Sequence, residues 1–338
     1  MCHGQNEKSA IPTIQTGKKL FYFSTADSTK VGVKDEDGKI IIPAKFHIYH
    51  FYNFQEAITD PTIELWHSAE LKNVDPLSPA MPVSEVFDRN GNFLYYAQFY
   101  DNGPDYYEEG VRRFVENGKI GFVNKSGEKV LPAIWEFASS FSYGYATAYT
   151  GHWKKKYEKG GERWSIVPAS ETSENFIINK KGERVYPYPQ PKDPKDFKKA
   201  ENEYYPYPFK YNNFEKKLIE SLEKLDVLND LSLRNLGTTN QKREELLLQF
   251  EIIEYPFENY PYYILQGYRQ QYKEDDMIFA ISEDGKHYYH ADFYIQKLIP
   301  IKDWIIEELI YSEEYFRLKQ NRAFPFDVKK HLDIWNKK

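Results

Sequence analysis

The stretch GFVNKSGEKVLPAIWEF, residues Gly121–Phe137, has the pattern of a β-hairpin. Its middle, NKSG at Asn124–Gly127, predicts a tight turn, because asparagine can hydrogen-bond to nearby backbone and glycine accepts a positive φ. Pro132 has no N–H and is expected to end the pairing of the second strand. A second turn and an alternating strand follow at 141–149. One hairpin cannot bury an apolar face alone, so the pattern raises the question of repetition.

The same spacing recurs around three other glycines. Counted from Gly127, a glycine lies six residues earlier, a proline five later and an aromatic residue eight later. Complete or partial copies of this pattern surround Gly38, Gly91 and Gly182; the matching residues are Gly32, Pro43 and Phe46 in the first, Phe99 in the second and Pro187 in the fourth. Fixed offsets predict stacked repeat units, in which Phe46, Phe99 and Trp135 pack between neighbours.

This unit resembles the WG repeat, also called the KWG repeat, a bacterial β-repeat. The resemblance extends over about residues 18–190 and implies a domain of stacked antiparallel hairpins. The literal Trp-Gly pair is absent, and Val31-Gly32 and Ile120-Gly121 hold its position. Glu85 and Phe176 replace that glycine in the second and fourth units. The fourth unit also stops early, as a capping unit does.

Past the repeats, the composition and the apolar period change. The proline-rich and tyrosine-rich segment 191–210 predicts an extended linker, and the YPYP stretches at 186–189 and 205–208 favour polyproline II. Apolar residues then recur every three or four positions, which predicts a mostly α-helical domain over 211–338. Asp284-Gly285 predicts a hairpin over 277–294. Helices are expected from Asn212 or Asn213 onward, over 240–254, from Pro261, over about 300–320 and over about 326–336. The overall class is α+β.

Composition limits the classes of partner. The chain has 338 residues and a net charge of −6, and neither half is basic, so no nucleic-acid footprint is present. No apolar run of about 18 residues occurs. The single cysteine, Cys2, excludes intramolecular disulfides and CxxC sites. Residues 1–17 are expected to form a flexible tether. If Met1 replaces a removed signal peptide, Cys2 resembles the lipid-bearing cysteine of a bacterial lipoprotein; the alternative is an ordinary thiol at a native start.

Two insertions interrupt the repeat spacing. The turn glycines are 53, 36 and 55 residues apart, from 38 to 91, 91 to 127 and 127 to 182. The longer steps place insertions within 59–82 and 151–174, and insertions in repeat proteins form loops that often bind partners. The candidate binding residues are Trp66, Trp153, Lys154, Lys155, Lys156, Tyr157 and Trp164. The alternative is a solvated hairpin extension whose lysines serve solubility.

The sequence offers little catalytic chemistry. It lacks GxxxxGK[ST], GxGxxG, GxSxG and HExxH, and the acidic turn before Gly38 lacks calcium-loop spacing. His47 and His50 could share a face, but no third ligand is evident, so no metal is expected. His287 and His290 point to opposite faces of a predicted strand. His290 and Asp292 share a face, and a hydrogen-bonded pair is favoured over an acid–base site.

These patterns favour a binding protein over an enzyme. The expected function is a non-catalytic protein-binding or recognition module of the bacterial cell envelope, such as an inhibitor or immunity-type protein. The chain is expected to be a monomer, without cofactor, that binds an unidentified protein; membrane attachment would occur only through a lipid on Cys2. Without a removed signal peptide, a cytoplasmic location is expected. The alternative is a hydrolase-like enzyme with its site in the C-terminal domain or at the domain junction, and a carboxylate pair for glycan hydrolysis stays open.

Overall fold

The chain divides into two units along its length. The computed structural model describes residues 17–49, 52–67, 75–100, 103–161, 163–233, 246–257, 260–292, 297–318 and 326–337, with the side chain of residue 292 left out. The first unit ends at Pro208 and the second begins at Phe209. Antiparallel sheets dominate the described residues, and their helices all lie after Phe209. The predicted α+β class is confirmed.

The first unit contains four repeats of one plan, a leading strand followed by a β-hairpin. Its strands are β1 (Leu20–Ser24), β2 (Lys30–Asp35), β3 (Ile40–His47), β4 (Ile63–Trp66), β5 (Pro82–Phe87), β6 (Phe93–Tyr100), β7 (Gly103–Pro104), β8 (Val111–Glu116), β9 (Lys119–Asn124), β10 (Lys129–Trp135), β11 (Phe137–Ala138), β12 (Tyr145–Thr150), β13 (Trp153–Tyr157), β14 (Trp164–Pro168), β15 (Glu174–Asn179), β16 (Arg184–Val185), β17 (Phe197–Ala200) and β18 (Glu203–Tyr205). The leading strands are β1, β4, β8 and β12. The hairpins are β2–β3, β5–β6, β9–β10 and β15–β16.

Three sheets hold these repeats. The first repeat forms the sheet β1-β2-β3, and the fourth forms β11-β12-β15-β16 with the short strand β11. The second and third share one sheet, in the order β10-β9-β8-β6-β5-β4 with β7 beside β6. They are joined where β6 pairs with β8, at Tyr96 with Val115 and Ala97 with Phe114. The predicted antiparallel hairpin units are therefore present.

All four hairpin turns have the same geometry. An Asp or Asn three residues before each turn glycine accepts hydrogen bonds from backbone N–H groups of the turn, at 2.8–3.1 Å; these residues are Asp35, Asp88, Asn124 and Asn179. The four turn glycines have φ between 75° and 85°. Such φ values strain any residue with a Cβ, so the turn glycines predicted from spacing have a backbone role.

Each turn from the second repeat onward lies against the preceding hairpin. A Cβ added at Gly91 would lie 2.7 Å from the carbonyl oxygen of Ile41. At Gly127 it would lie 2.5 Å from Cδ1 of Leu94, and at Gly182 it would lie 3.2 Å from Leu131. The glycines therefore allow close contact between consecutive repeats, as well as the turn itself.

The repeated proline marks a bulge in the first and third hairpins. In the third, Leu131 pairs with Phe122 but Trp135 pairs with Ile120, so four residues of β10 span two of β9. The bulged chain passes close to the strand glycine, because a Cβ at Gly121 would lie 2.7 Å from the backbone nitrogen of Ala133. The first hairpin has the same shift between its Val31–Phe46 and Val33–Ile42 pairs.

The second hairpin lacks this bulge, so the predicted burial of Phe99 is wrong. There, Val86 pairs with Tyr95 and Ser84 with Ala97, two residues against two. The residue eight after the turn glycine consequently does not reach the buried position. Phe46 and Trp135 are 2% and 3% exposed, whereas Phe99 is only half-buried.

The predicted linker packs into the first unit. Strands β17 and β18 form a hairpin within 191–210, and Tyr188 bridges to Tyr204. Tyr205 is 3% exposed and packs with Tyr145 and Ile177, and Phe197 stacks on Tyr143 at 5.7 Å. Aromatic rings placed between prolines provide enough apolar area to form a small core of their own. The density of proline and charge in this segment led to the prediction of a linker, because it gave no weight to that area.

The second unit contains more sheet than the periodicity predicts. Its elements are α1 (Asn213–Glu223), α2 (Asp226–Leu233), β19 (Gln249–Glu254), β20 (Tyr262–Arg269), β21 (Tyr272–Ser282), β22 (Tyr288–Asp292), β23 (Lys297–Pro300), α3 (Ile301–Leu318) and α4 (Val328–Trp335). The five strands pair in chain order as one antiparallel sheet. The hairpin at Gly285, the Asn212 N-cap and the last two helices agree with prediction.

The helices predicted over 240–254 and from Pro261 are wrong where the structure describes them. Residues 249–254 form β19, and β20 begins at Tyr262. Both strands have buried residues on two faces: Phe250 and Ile252 contact the helices, and Ile264 contributes to a cluster on the other face. A strand buried on both faces gives a nearly continuous apolar run, which periodicity cannot distinguish from a buried helix.

Candidate functional site

Both insertions replace the same loop of the repeat, the connection from the leading strand to the hairpin. In the third repeat this connection is the tight turn Asn117-Gly118. In the second repeat it runs from β4 to β5, and in the fourth from β12 to β15. The predicted first insertion began too early, because its residues 63–66 are the leading strand β4. Its described extra part is 75–81.

The second insertion is a two-stranded hairpin of β13 and β14. Lys155 pairs with Ile166 and Tyr157 with Trp164, so alternate side chains point to opposite faces. Lys154 and Lys156 lie on the exposed face. The hairpin therefore separates the three consecutive lysines of the sequence into two exposed ones and one on the opposite face.

Lys155 is buried between the two insertions. Its residue is 3% exposed, and its Nζ lies 3.1 Å from Sδ of Met81 and 4.9 Å from the ring centre of Trp164. Burial lowers the pKa of Lys155, and the nearby carboxylate of Asp75 partly opposes that shift. Lys155 thus serves packing of the insertions and is not available to a partner.

The two insertions are in direct contact. The backbone N–H of Lys155 donates a 2.8 Å hydrogen bond to the carbonyl oxygen of Leu77, on the free edge of β13. The hydroxyl of Tyr157 lies 3.5 Å from the carbonyl oxygen of Pro76, and Tyr157 stays 44% exposed. We call the exposed side chains of Lys154 and Lys156 on one face of the hairpin and of Tyr157 at the end of the other face, with the adjoining segment 75–78, the insertion surface.

A pocket of about 480 Å³ adjoins the insertion surface. The segment from Asp75 to Pro82 forms one wall, and the turn Asn117-Gly118 of the next repeat contributes to another. Aromatic and aliphatic side chains line most of it, and charged groups lie among them; the lining includes Phe93, Leu94, Tyr95, Tyr96, Phe114, Val115, Glu116 and Lys129. This volume lies within the range of pockets that accept a ligand or an anchoring side chain.

The three tryptophans have less exposed roles than predicted. Trp66 lies on β4, where its ring packs 4.4 Å from that of Tyr49, so it belongs to a repeat rather than to a loop. The indole of Trp153 donates to the carbonyl oxygen of Thr150, and its ring contacts Tyr149. Trp164 covers Lys155. All three are half-buried.

Sequence reasoning missed a buried ionic network on β8. Arg113 binds Asp105 through two guanidinium hydrogen bonds of 2.5 and 2.8 Å, and both residues are at most 4% exposed. On the opposite face, Arg112 contacts the hydroxyl of Tyr95 and forms an ion pair with Glu64 at 2.9 Å. Each charge has a partner and several hydrogen bonds, which fits a structural role for this network.

The histidine candidates that the structure describes lie apart from one another. The ring of His290 stacks on Trp304 at 4.2 Å, and its Nε2 lies 3.0 Å from the carbonyl oxygen of Asp276. His287 is exposed, and His47 lies on β3. Cys2, His50 and the side chain of Asp292 lie outside the described residues. Within the described part of the chain, no group of three His, Cys, Asp or Glu side chains could hold a metal ion.

The second unit contains a histidine–carboxylate pair that the sequence did not reveal. His331 Nε2 lies 2.7 Å from Oδ2 of Asp230, and both side chains are 9% exposed. The pair connects α2 to α4 across 101 residues of chain. Because the pair is buried between these two helices, we interpret it as a structural link between them.

No described helix is long and apolar enough to cross a membrane. In the comparisons with known proteins, residues 120–151 match the family model of the WG containing repeat. That segment runs from β9 through β12, the third hairpin and the strand that follows it. No curated protein and no solved structure matches the chain. The resemblance predicted from the sequence is thus confirmed, and the chain contains a β-repeat of the WG type.

Proposed function

We propose that the chain is a non-catalytic protein-binding module and that its partner binds at the insertion surface. The observation that carries this proposal is the contact between the two insertions, made by the Lys155–Leu77 hydrogen bond. Two loops from different repeats meet there, and both carry exposed residues beside the contact. Loops that a rigid scaffold positions are common places for binding residues.

Charge and chemistry at this surface favour an acidic partner with an apolar anchor. Lys154 and Lys156 are exposed on one face of the hairpin in a protein whose net charge is −6. Exposed lysines at an interface raise association rates with an acidic partner and discriminate against basic ones. The neighbouring pocket, with Phe93 47% exposed at its lining, provides an apolar site for one partner side chain.

The finer part of the proposal concerns location and biological role. We propose a cell-envelope protein, anchored by a lipid on Cys2, that recognises or inhibits another protein, as an immunity protein does. Support for the recognition role comes from the match of residues 120–151 to the WG containing repeat. Mass spectrometry of the protein isolated from its own cells tests the anchor: a lipid mass on an N-terminal Cys2 supports it, and an unmodified Cys2 behind Met1 contradicts it.

Charge reversal on the insertion surface is expected to weaken partner binding by at least about tenfold. The variant is Lys154→Glu/Lys156→Glu, which leaves the buried Lys155 in place. Partners are captured from lysate of the producing cells with the wild type and with the variant. The captured protein is then purified, and its affinity for each is measured at low and high salt.

A matched control reverses two exposed lysines elsewhere. Lys216→Glu/Lys217→Glu on α1 changes the net charge by the same amount in the second unit. The control is expected to bind like the wild type, and the difference between the two variants is expected to shrink at high salt because exposed charges are screened. If both double variants lose affinity equally, net charge rather than the insertion surface determines binding, and the proposed site is wrong.

A further inference from the structure

The second unit exposes an apolar stripe on α3. Tyr311, Tyr315 and Leu318 are 59%, 41% and 68% exposed, and Ile310 beside them is 46% exposed. The spacing of four and three places the first three residues on one face of the helix. A second face is filled by Ile305, Leu309 and Phe316, whereas the buried Trp304, seven residues before Tyr311, continues the line of the stripe toward the start of the helix. The helix is therefore apolar on two sides, although burial in its own unit requires only one.

Two rings of the stripe stack on each other, and negative charge flanks the stripe. The rings of Tyr311 and Tyr315 stack on each other, with centres 6.2 Å apart and planes 25° apart. Along α3, five acidic residues accompany two basic ones; the acidic residues are Asp303, Glu307, Glu308, Glu313 and Glu314. Rigid tyrosines provide much contact area at a small entropic cost, so they are effective binding anchors.

We propose that this stripe docks a second class of partner, a basic amphipathic helix on another protein. A helix face with apolar residues at i, i+4 and i+7 matches the surface that another helix presents. The acidic flanks favour a positively charged partner, because lysines or arginines beside its apolar face would lie next to Glu307 and Glu314. A second copy of the same chain fits poorly, since two such stripes would bring like charges together.

This surface differs from the insertion surface in both position and charge. The stripe lies in the second unit and selects a basic partner, whereas Lys154 and Lys156 lie in the first unit and favour an acidic one. Each of the two proposals can therefore be rejected without affecting the other. A chain with both surfaces would hold two different proteins, which is more than a single inhibitory contact requires.

The test uses the full chain and a synthetic probe, a short helical peptide of leucine and lysine with all leucines on one face. The matched peptide has glutamate in place of every lysine. Affinity is measured by fluorescence anisotropy of labelled peptides. The Leu/Lys peptide is expected to bind at least about tenfold more tightly than the Leu/Glu peptide.

The variant Tyr311→Gln/Tyr315→Gln/Leu318→Gln removes the stripe and keeps every charge of α3. It is expected to bind the Leu/Lys peptide at least about tenfold more weakly. The control Ile40→Gln/Ile134→Gln/Tyr186→Gln removes three exposed apolar residues from the first unit and is expected to bind like the wild type. Circular dichroism confirms that each variant is folded.

Three results would overturn the proposal. Unchanged binding by the stripe variant would show that charge alone holds the peptide. Equal binding of both peptides to the wild type would contradict the preference for a basic partner. Concentration-dependent dimerisation in sedimentation velocity, absent from the stripe variant, would show that a second copy covers the stripe.

Discussion

Trp135→Ala is expected to lower the free energy of unfolding by about 3–5 kcal/mol. The indole is 3% exposed and packs edge-on against Phe122 with ring centres 6.0 Å apart. The turn of the fourth repeat also lies against the indole, since a Cβ at Gly182 would lie 3.5 Å from the ring. Truncation therefore opens a cavity where two repeats meet, which the surrounding backbone cannot fill by small shifts.

The neighbouring residue provides the control. Ile134 is 59% exposed, and Ile134→Ala is expected to change stability by no more than about 0.5 kcal/mol. Urea denaturation, followed by far-UV circular dichroism, measures both variants. A midpoint for Trp135→Ala equal to that of the wild type would mean that the ring does not pack between the repeats.

Arg113→Met is expected to cost about 3–5 kcal/mol. The substitution retains much of the side-chain volume but leaves the carboxylate of Asp105 buried without its counter-charge. It also removes the donor to the carbonyl oxygen of Ala138, a bond of 2.9 Å. An uncompensated buried charge is far more costly than the loss of a surface ion pair.

The double variant Arg113→Met/Asp105→Leu separates charge burial from packing. Removing both charges is expected to restore part of the lost stability, because no carboxylate remains to be desolvated. The backbone N–H of Arg113, which donates to Asp105 at 3.0 Å, still loses its acceptor, so recovery is incomplete. Double and single variants of equal stability would show that Asp105 carries no desolvation penalty.

The repeat could be predicted because its residues act locally. A turn glycine and the Asp or Asn three residues before it are determined by the backbone of that turn, so their spacing is visible in any copy. Asp35, Asp88 and Asn179 share the offset that Asn124 shows, and comparison of the four turns would have identified them. Phe99 was misplaced for a related reason, because counting residues assumes a bulge that the second hairpin lacks.

Strands β19 and β20 were missed because both of their faces are buried. On β19, Phe250 and Ile252 contact the helices, while Glu251 is buried and accepts a 2.7 Å hydrogen bond from Tyr211. Glutamate in an apolar run usually indicates the solvent face of a helix. Here its partner lies 40 residues away, a relation that a periodic pattern cannot contain.

The sequence predicted where the two insertions lie but not which of their side chains are exposed. Unequal glycine spacing located two loops, and the repetition of the plan put them on one side. The alternation of β13 places Lys155 on the face opposite to its two neighbours. Which face is buried depends on contacts with Leu77 and Met81 of the other insertion, and the sequence does not show those contacts. Trp66 was assigned to a loop because the leading strand of the second repeat had not been identified.

Site-specific photo-crosslinking tests most directly whether a partner contacts the insertion surface. A photoreactive phenylalanine derivative replaces Tyr157 in one version of the chain and Tyr186, which is 68% exposed, in another. Both versions are irradiated in the cells that produce the protein, and adducts are identified by mass spectrometry. The account predicts an adduct with a specific protein from position 157 that position 186 does not give. The same adducts from both positions, or none from position 157 while another position captures the partner, would contradict it.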